Sequence, residues 1–140
     1  MAGWAKEYVD AFNSHDPERV GAFFAVDATY ETVGAGPLWV VTGREAIQGM
    51  VSALNRFAND TNITLLSEMY SGDRFALEEE ETSTNTGSIA RGVPATNKRY
   101  TTRAAEIGRL DADGKIKEVR AYMDRLDIFT QLGLLAAPGA

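Results

Sequence analysis

The stretch DRFALEEEETSTNTG, residues 73–87, reads as a strand, and its alternation sorts an acidic run into two faces. In a strand, successive side chains point to opposite faces, so Phe75 and Leu77 share the face that meets the helices. Glu79 and Glu81 have the same parity and lie further along, toward the open end of the sheet. Glu78 and Glu80 then fall on the outer face.

This strand sits in a run of similar segments, expected at about 63–70, 74–84, 97–110 and 115–124. Their links are SGD, the Gly- and Pro-containing TGSIARGVPATN, and DADG, a strong hairpin signal. Upstream the period changes. GWAKEYVDAFN places Trp4, Tyr8, Ala11 and Phe12 at helical spacing. SHDPERVGAFFA restarts a helix with Asp16 as N-cap, Pro17 at the first position and Val20, Phe23 and Phe24 as its buried stripe. DATYETVGAGPLWVV reads as strand, Gly-Ala-Gly-Pro turn and short strand. TGREAIQGMVSALNRFA opens a third helix, with Thr42 and Glu45 at capping-box spacing. A short terminal helix is expected at about 126–133. Helices first and an antiparallel meander afterwards predict an α+β domain in which helices cover one face of a curved sheet.

The chain has 140 residues, which fits one domain spanning 1–140. Fourteen Lys plus Arg against 20 Asp plus Glu give a formal net charge of −6, which argues against nucleic acid and anionic membranes as partners. There is no cysteine, which excludes disulfides, thiolate metal sites and Cys nucleophiles. The one histidine, His15, lies in the polar run NSHDPE and reads as a surface bystander. Acid/base chemistry therefore falls to carboxylates, supported by Tyr or Lys. With no signal-like opening and no apolar run of membrane-spanning length, a soluble cytoplasmic protein is expected.

The last strand and the terminal segment, EVRAYMDRLDIFTQLGLL, leave a choice open. Ile116, Glu118, Arg120, Tyr122 and Asp124 share one face, and Lys117, Val119, Ala121 and Met123 the other. A three-residue ADG loop would pair Asp111 with Lys115, and so set Glu106 opposite Arg120, Ala104 opposite Tyr122 and Thr102 opposite Asp124. Both faces mix apolar and charged residues, so periodicity does not say which looks inward. Asp124 itself reads either as a functional carboxylate or as the N-cap of the terminal helix, with Asp127 in the box position.

Taken together, YVDAFNSHDPERVGAFFAVDATYE, VTGREAI, TSTNTG, DADGKIKEVRAYMD and QLGLL resemble, in order and over nearly the whole chain, the SnoaL-like polyketide cyclases of the nuclear transport factor 2-like superfamily. That resemblance implies a cone-shaped, strongly curved mixed or antiparallel sheet wrapped around N-terminal helices, with an internal apolar pocket. It also implies a homodimer through the outer sheet face. It would turn Tyr122 and Asp124 into the pocket and leave Val119, Ala121 and Met123, with Ala105 and Ile107, on the dimer surface. By the same likeness, Asp124 of the Y-x-D element would act as acid/base in an aldol ring closure without metal or cofactor. Limonene epoxide hydrolases are relatives, but where they carry an Arg and an Asp two apart this chain has Glu79 and Glu81; Tyr30 is matched and their Asn is Thr32. Without the Arg that machinery is incomplete. Ketosteroid isomerase chemistry would be only partly supplied by Tyr30 and Asp124.

The expectation is thus a small-molecule enzyme performing aldol cyclisation or isomerisation on a hydrophobic carbonyl compound, with Asp124, Glu79 and Glu81 as catalytic carboxylates. A carboxyl in an apolar pocket has its pKa raised by desolvation, and carboxylate neighbours push the same way. The bland reading of Glu79 and Glu81 is a solvated strand end, or ion pairs with Arg99, Arg103 or Arg120. Tyr8, Phe12, Phe24, Tyr30, Trp39, Met50, Phe57 and Tyr122 are the candidate lining residues. No metal and no cofactor are expected; the alternative function is a non-catalytic hydrophobic-ligand binder or dimeric interaction module.

Overall fold

The computed structural model describes residues 2–34 and 39–136; most of the Gly-Ala-Gly-Pro turn expected at 34–37 lies outside them. Helix α1 (Trp4–Asn13) is followed by α2 (Pro17–Gly21), β1 (Phe24–Thr32), β2 (Val40–Thr42) and α3 (Arg44–Phe57). Then come β3 (Asn62–Ser71), β4 (Arg74–Thr84), β5 (Arg99–Leu110), β6 (Ile116–Met123) and α4 (Arg125–Gln131). The strands form one six-stranded mixed sheet in the order β2-β1-β6-β5-β4-β3. Among the described residues only β1 and β6 run parallel; their pairing returns the first strand to the middle of the sheet beside the last.

The sheet curls because helices hold its two ends together. At one end α1 packs on β3, at the other α3 packs on β1 and β2, and α2 bridges to both helices. Asn13, the last residue of α1, fixes the first contact by acting as an extra strand partner. Its amide donates to the Ile63 carbonyl at 2.8 Å and its carbonyl accepts from Ile63 N–H at 2.7 Å. Inside the curl, Trp4 stacks on Tyr8 at 5.5 Å and leans on Phe75 at 5.1 Å, while Tyr8 meets Phe12, Phe23 and Phe24 edge-on. Each such pair adds roughly 0.5–1.5 kcal/mol beyond its buried area.

Three local expectations are revised. Phe24 begins β1 rather than ending the second helix, yet it remains fully buried with Val20. The N-cap of α3 is Gly43 instead of Thr42. Its φ of 98° suits glycine, and from there its carbonyl accepts from Ile47 while its N–H donates to Ala28 of β1. The third revision is the register of β6. Asp111 does exchange a bond with Lys115 and Leu110 does oppose Ile116, but Arg109 then opposes Glu118. Lys117 is an extra, unpaired residue, a β-bulge that reverses the parity of everything after it. Glu106 therefore opposes Ala121, and Ala104 opposes Met123.

The loop from 85 to 98 is tied down by Asn85, which is fully buried. Its amide donates to the carbonyls of Phe57 and Gly87, and its carbonyl accepts from the Thr96 N–H and hydroxyl. All of its polar atoms are engaged, which is what makes its burial tolerable. Among the described residues no helix is long and apolar enough to cross a membrane.

Candidate active site

A cavity of about 320 Å³ opens between the helices and the concave face of the sheet. Its helical and loop wall carries Phe12, Met50, Phe57, Ile89 and Phe129, with Tyr30 and the half-exposed Trp39 toward the β1–β2 side. The sheet wall carries three carboxyls: Glu79 and Glu81 from β4 and Glu106 from β5. The parity read from residues 73–87 places the first two. Phe75, Leu77, Glu79 and Ser83 are all buried on the inner face, whereas Glu78 is exposed. None of the three arginines named as alternative partners pairs with them: Arg99 pairs with Asp60 and Arg103 with Glu80, and Arg120 lies on the outward side of β6 beside Tyr122 and Glu118.

The three carboxyls differ in their partners. Glu81 Oε1 accepts from the Tyr100 hydroxyl at 3.0 Å and from Ser83 Oγ at 3.2 Å, and Ser83 is in turn linked to Thr61 at 2.8 Å. Glu106 Oε1 accepts from the Tyr30 hydroxyl at 2.8 Å. Tyr8 is the second phenol beside this carboxyl, but its hydroxyl and Glu106 Oε2 are both buried without a hydrogen-bond partner. Glu79, only 6% exposed, receives no hydrogen bond from the described residues.

Burial raises the pKa of all three. For Glu81 it is opposed by the bonds from Tyr100 and Ser83. For Glu106 it is opposed by the two phenols and reinforced by the charge of Glu81. For Glu79 nothing opposes it, and the charges of Glu106 and Glu81 add to it, so this carboxyl is pushed up to about 9. Glu79 is thus the carboxyl that burial and both neighbours hold in its protonated form. Near neutral pH the cavity holds a protonated carboxylic acid, Glu79, two residues from Glu81, whose charged form the bonds from Tyr100 and Ser83 favour, with Cα atoms roughly 6.5–7 Å apart along one strand face. Tyr8 and Tyr30 are held well above the ordinary phenol pKa, first by burial and next by Glu106, and so remain donors. No three His, Asp or Glu side chains among the described residues come close enough together to hold a metal ion.

The remaining expectations separate cleanly. Phe12, Tyr30, Trp39, Met50 and Phe57 line the cavity; Tyr8 and Phe24 lie beneath it in the core. Tyr122 and Asp124 are on the other side of the sheet, as a correction to the resemblance-based assignment. After the bulge at Lys117 the inward residues of β6 are Val119 and Ala121, both buried, and Met123, which lines the cavity; Tyr122 is 38% exposed. Val119, Ala121 and Met123 therefore cannot form an outer dimer face. Asp124 is an exposed N-cap, accepting from Asp127 N–H at 3.0 Å. It borders an open depression of about 610 Å³ on the outer side with Glu78, Arg103 and Tyr122. His15 is half-buried, its ring bonded to the Thr61 carbonyl at 2.9 Å. Glu106, Tyr100 and Ser83 are the site residues that sequence reasoning missed. The alternation of Tyr100, Thr102, Ala104, Glu106, Gly108 and Leu110 along β5, all buried, was the available signal.

A mixed sheet curled over N-terminal helices, with an apolar cavity between them, defines the nuclear transport factor 2-like class of α+β domains. Residues 5–119 match the SnoaL-like domain model, and the chain belongs to that family. Among solved structures it is similar to IdmH of Streptomyces antibioticus, a candidate polyketide cyclase, at 27% identity and TM-score 0.74, covering 92% of this chain and 95% of that one. A candidate SnoaL-like polyketide cyclase from Jannaschia sp. CCS1 is 17% identical with TM-score 0.80, covering 96% and 90%. An LEH-like epoxide hydrolase of M. tuberculosis is 18% identical with TM-score 0.70, covering 91% and 85%. Among curated proteins none matches this chain.

Proposed function

We propose that the protein is a cofactor-independent acid/base enzyme acting on a hydrophobic carbonyl compound, by aldol ring closure or isomerisation. The observation that carries this reading is Glu79: a carboxyl without hydrogen-bond partners among the described residues, held protonated by burial and by its carboxylate neighbours, beside Glu81, whose charged form is favoured by bonds from Tyr100 and Ser83. Glu81, oriented by Tyr100 and Ser83, removes a proton from the carbon next to the carbonyl. Glu79 hands its proton to the oxygen of that carbonyl, giving the enol, or, where the enolate carbon bonds to a second carbonyl carbon and closes a ring, to the oxygen of that second carbonyl, which becomes the hydroxyl. Glu106, bonded to Tyr30, adds its charge to the burial that keeps Glu79 neutral. Such a pair typically contributes about 10²- to 10⁴-fold in rate.

A purely ligand-binding role is less well supported, because burying unpaired carboxyls lowers stability with no gain in binding apolar surface. Epoxide opening is disfavoured by Glu79 standing where the resembling hydrolases have an arginine. As a second element of the proposal, the protein pairs as a homodimer through the outer sheet face bearing Ala105, Ile107 and Tyr122.

The decisive measurement is deuterium incorporation at the α-carbon of 2-tetralone in D₂O, followed by NMR, which reads proton abstraction without the natural substrate. Catalysed exchange that falls at least 10²-fold in Glu79→Gln and Glu81→Gln but persists in Asp124→Asn supports the assignment. Exchange unaffected by the first two variants overturns it.

A further inference from the structure

Among the described residues Arg125 is the only cationic side chain lining the cavity, and it forms no ion pair with any of them. Its guanidinium lies 4.6 Å from the centroid of Trp39, and its Nη1 donates a long bond of 3.4 Å to the Val33 carbonyl. Nη2 is buried and has no hydrogen-bond partner among the described residues. The group borders both the inner cavity and the outer depression, which puts it at the rim, whereas the three carboxyls occupy the sheet wall.

Stacking on an aromatic face and a backbone carbonyl fix the plane of the guanidinium while leaving both N–H bonds of Nη2 uncommitted. A buried polar group left unpaired lowers stability, and more so when it is charged, so an arriving acceptor recovers that loss as binding energy. Arginine presents flat, forked donors that match a carboxylate better than any neutral acceptor. Charge balance limits the partner to a single negative charge. One arginine faces three carboxyls across the same cavity, so a dianion such as a phosphate monoester would meet repulsion once Glu81 ionises.

We propose that Arg125 is a substrate-binding residue that captures a carboxylate, so that the ligand is a hydrophobic monocarboxylic acid whose charged end stays at the rim beside Trp39. The reacting carbonyl then lies at the other end, against Glu79 and Glu81. This deepens the reading above in naming the substrate class. It requires only that the cavity take a small molecule, so it stands or falls separately from catalysis at Glu79.

The test uses two probes of one skeleton, 2-naphthoate and methyl 2-naphthoate, titrated calorimetrically at pH 7.5 against the wild-type protein. The carboxylate is expected to bind about 10- to 150-fold more tightly than the ester, the range for a hydrogen bond to a charged group. Arg125→Leu should abolish that preference by weakening the carboxylate alone, and Arg125→Lys should restore part of it. Equal affinities in the wild-type protein, absent binding of the carboxylate, or equal weakening of both probes in Arg125→Leu overturns the proposal. The wild-type comparison decides the matter even if a variant fails to fold.

Discussion

At the scale of single residues, Glu79 shows how one side chain couples chemistry to stability. Its pKa is about 9 in the folded protein against an ordinary value of 4.5. The folded state therefore holds a proton that the unfolded chain releases, and the associated stability is fully present below about pH 4.5. It is lost as pH rises toward 9. Burial pushes Glu81 and Glu106 in the same direction, so they add to the decline. Glu79→Gln keeps the shape and removes the titration. It should raise the melting temperature at pH 8 by about 3–8 °C, corresponding to roughly 1–2 kcal/mol in a domain of this size, with little change at pH 4.5. Calorimetric scans across that range check both statements. A variant that gains stability where it loses exchange activity marks Glu79 as a group retained for chemistry.

At the scale of elements, the bulge in β6 and the cap of α4 explain what could be read in advance. Residues 73–87 contain no irregularity, so period-two parity carried Glu79 and Glu81 to their correct face. Lys117 breaks the same rule in β6. Nothing in GKIKEVR distinguishes a paired lysine from a bulged one, because both faces of that strand mix apolar with charged side chains. Asp124 was legible as a cap from its spacing to Asp127. It was misplaced only by carrying a relative's Y-x-D role onto letters whose strand had slipped by one. Asp124→Ala should lower stability by about 1 kcal/mol, the ordinary loss of an N-cap, while leaving α-proton exchange intact. Thermal unfolding and the 2-tetralone assay on one preparation separate these outcomes. The Thr42 capping box failed for a similar reason: Gly43 can take a φ of 98°, and the tie of its N–H to β1 moves the helix start by one residue.

At the scale of the whole molecule, the order of elements and their periodicities were enough for the fold, since helices that precede a meander have one face of the sheet to cover. The cavity was less legible, because its third carboxyl comes from β5, whose register against β4 is set across the long 85–98 connection, and its rim arginine comes from α4. The convex face keeps Ile107 at 37% and Tyr122 at 38% exposure, and on the edge strand β3 Met69 is 65% exposed. Exposed apolar side chains of this size on a broad sheet face are characteristic of an interface. Light scattering at micromolar concentration should give the mass of a dimer for the wild-type protein and of a monomer for Ile107→Glu, with the fold retained by circular dichroism. A wild-type monomer would remove the dimer from the proposal and leave the cavity chemistry untouched.

The unpaired Lys117 also governs how this protein should be compared with its relatives. Against a relative whose last strand lacks this extra residue, a gapless alignment across position 117 would superimpose the outward Tyr122 and Asp124 on residues that face the other chain's cavity. Any inventory of shared catalytic groups built that way exchanges the inside of one sheet for the outside of another. Placing a one-residue gap at position 117 restores the correspondence of faces, and the column that then faces the cavity holds Val119, Ala121 and Met123. Relatives that share the bulge are those whose acid/base groups should be sought on the strands equivalent to β4 and β5.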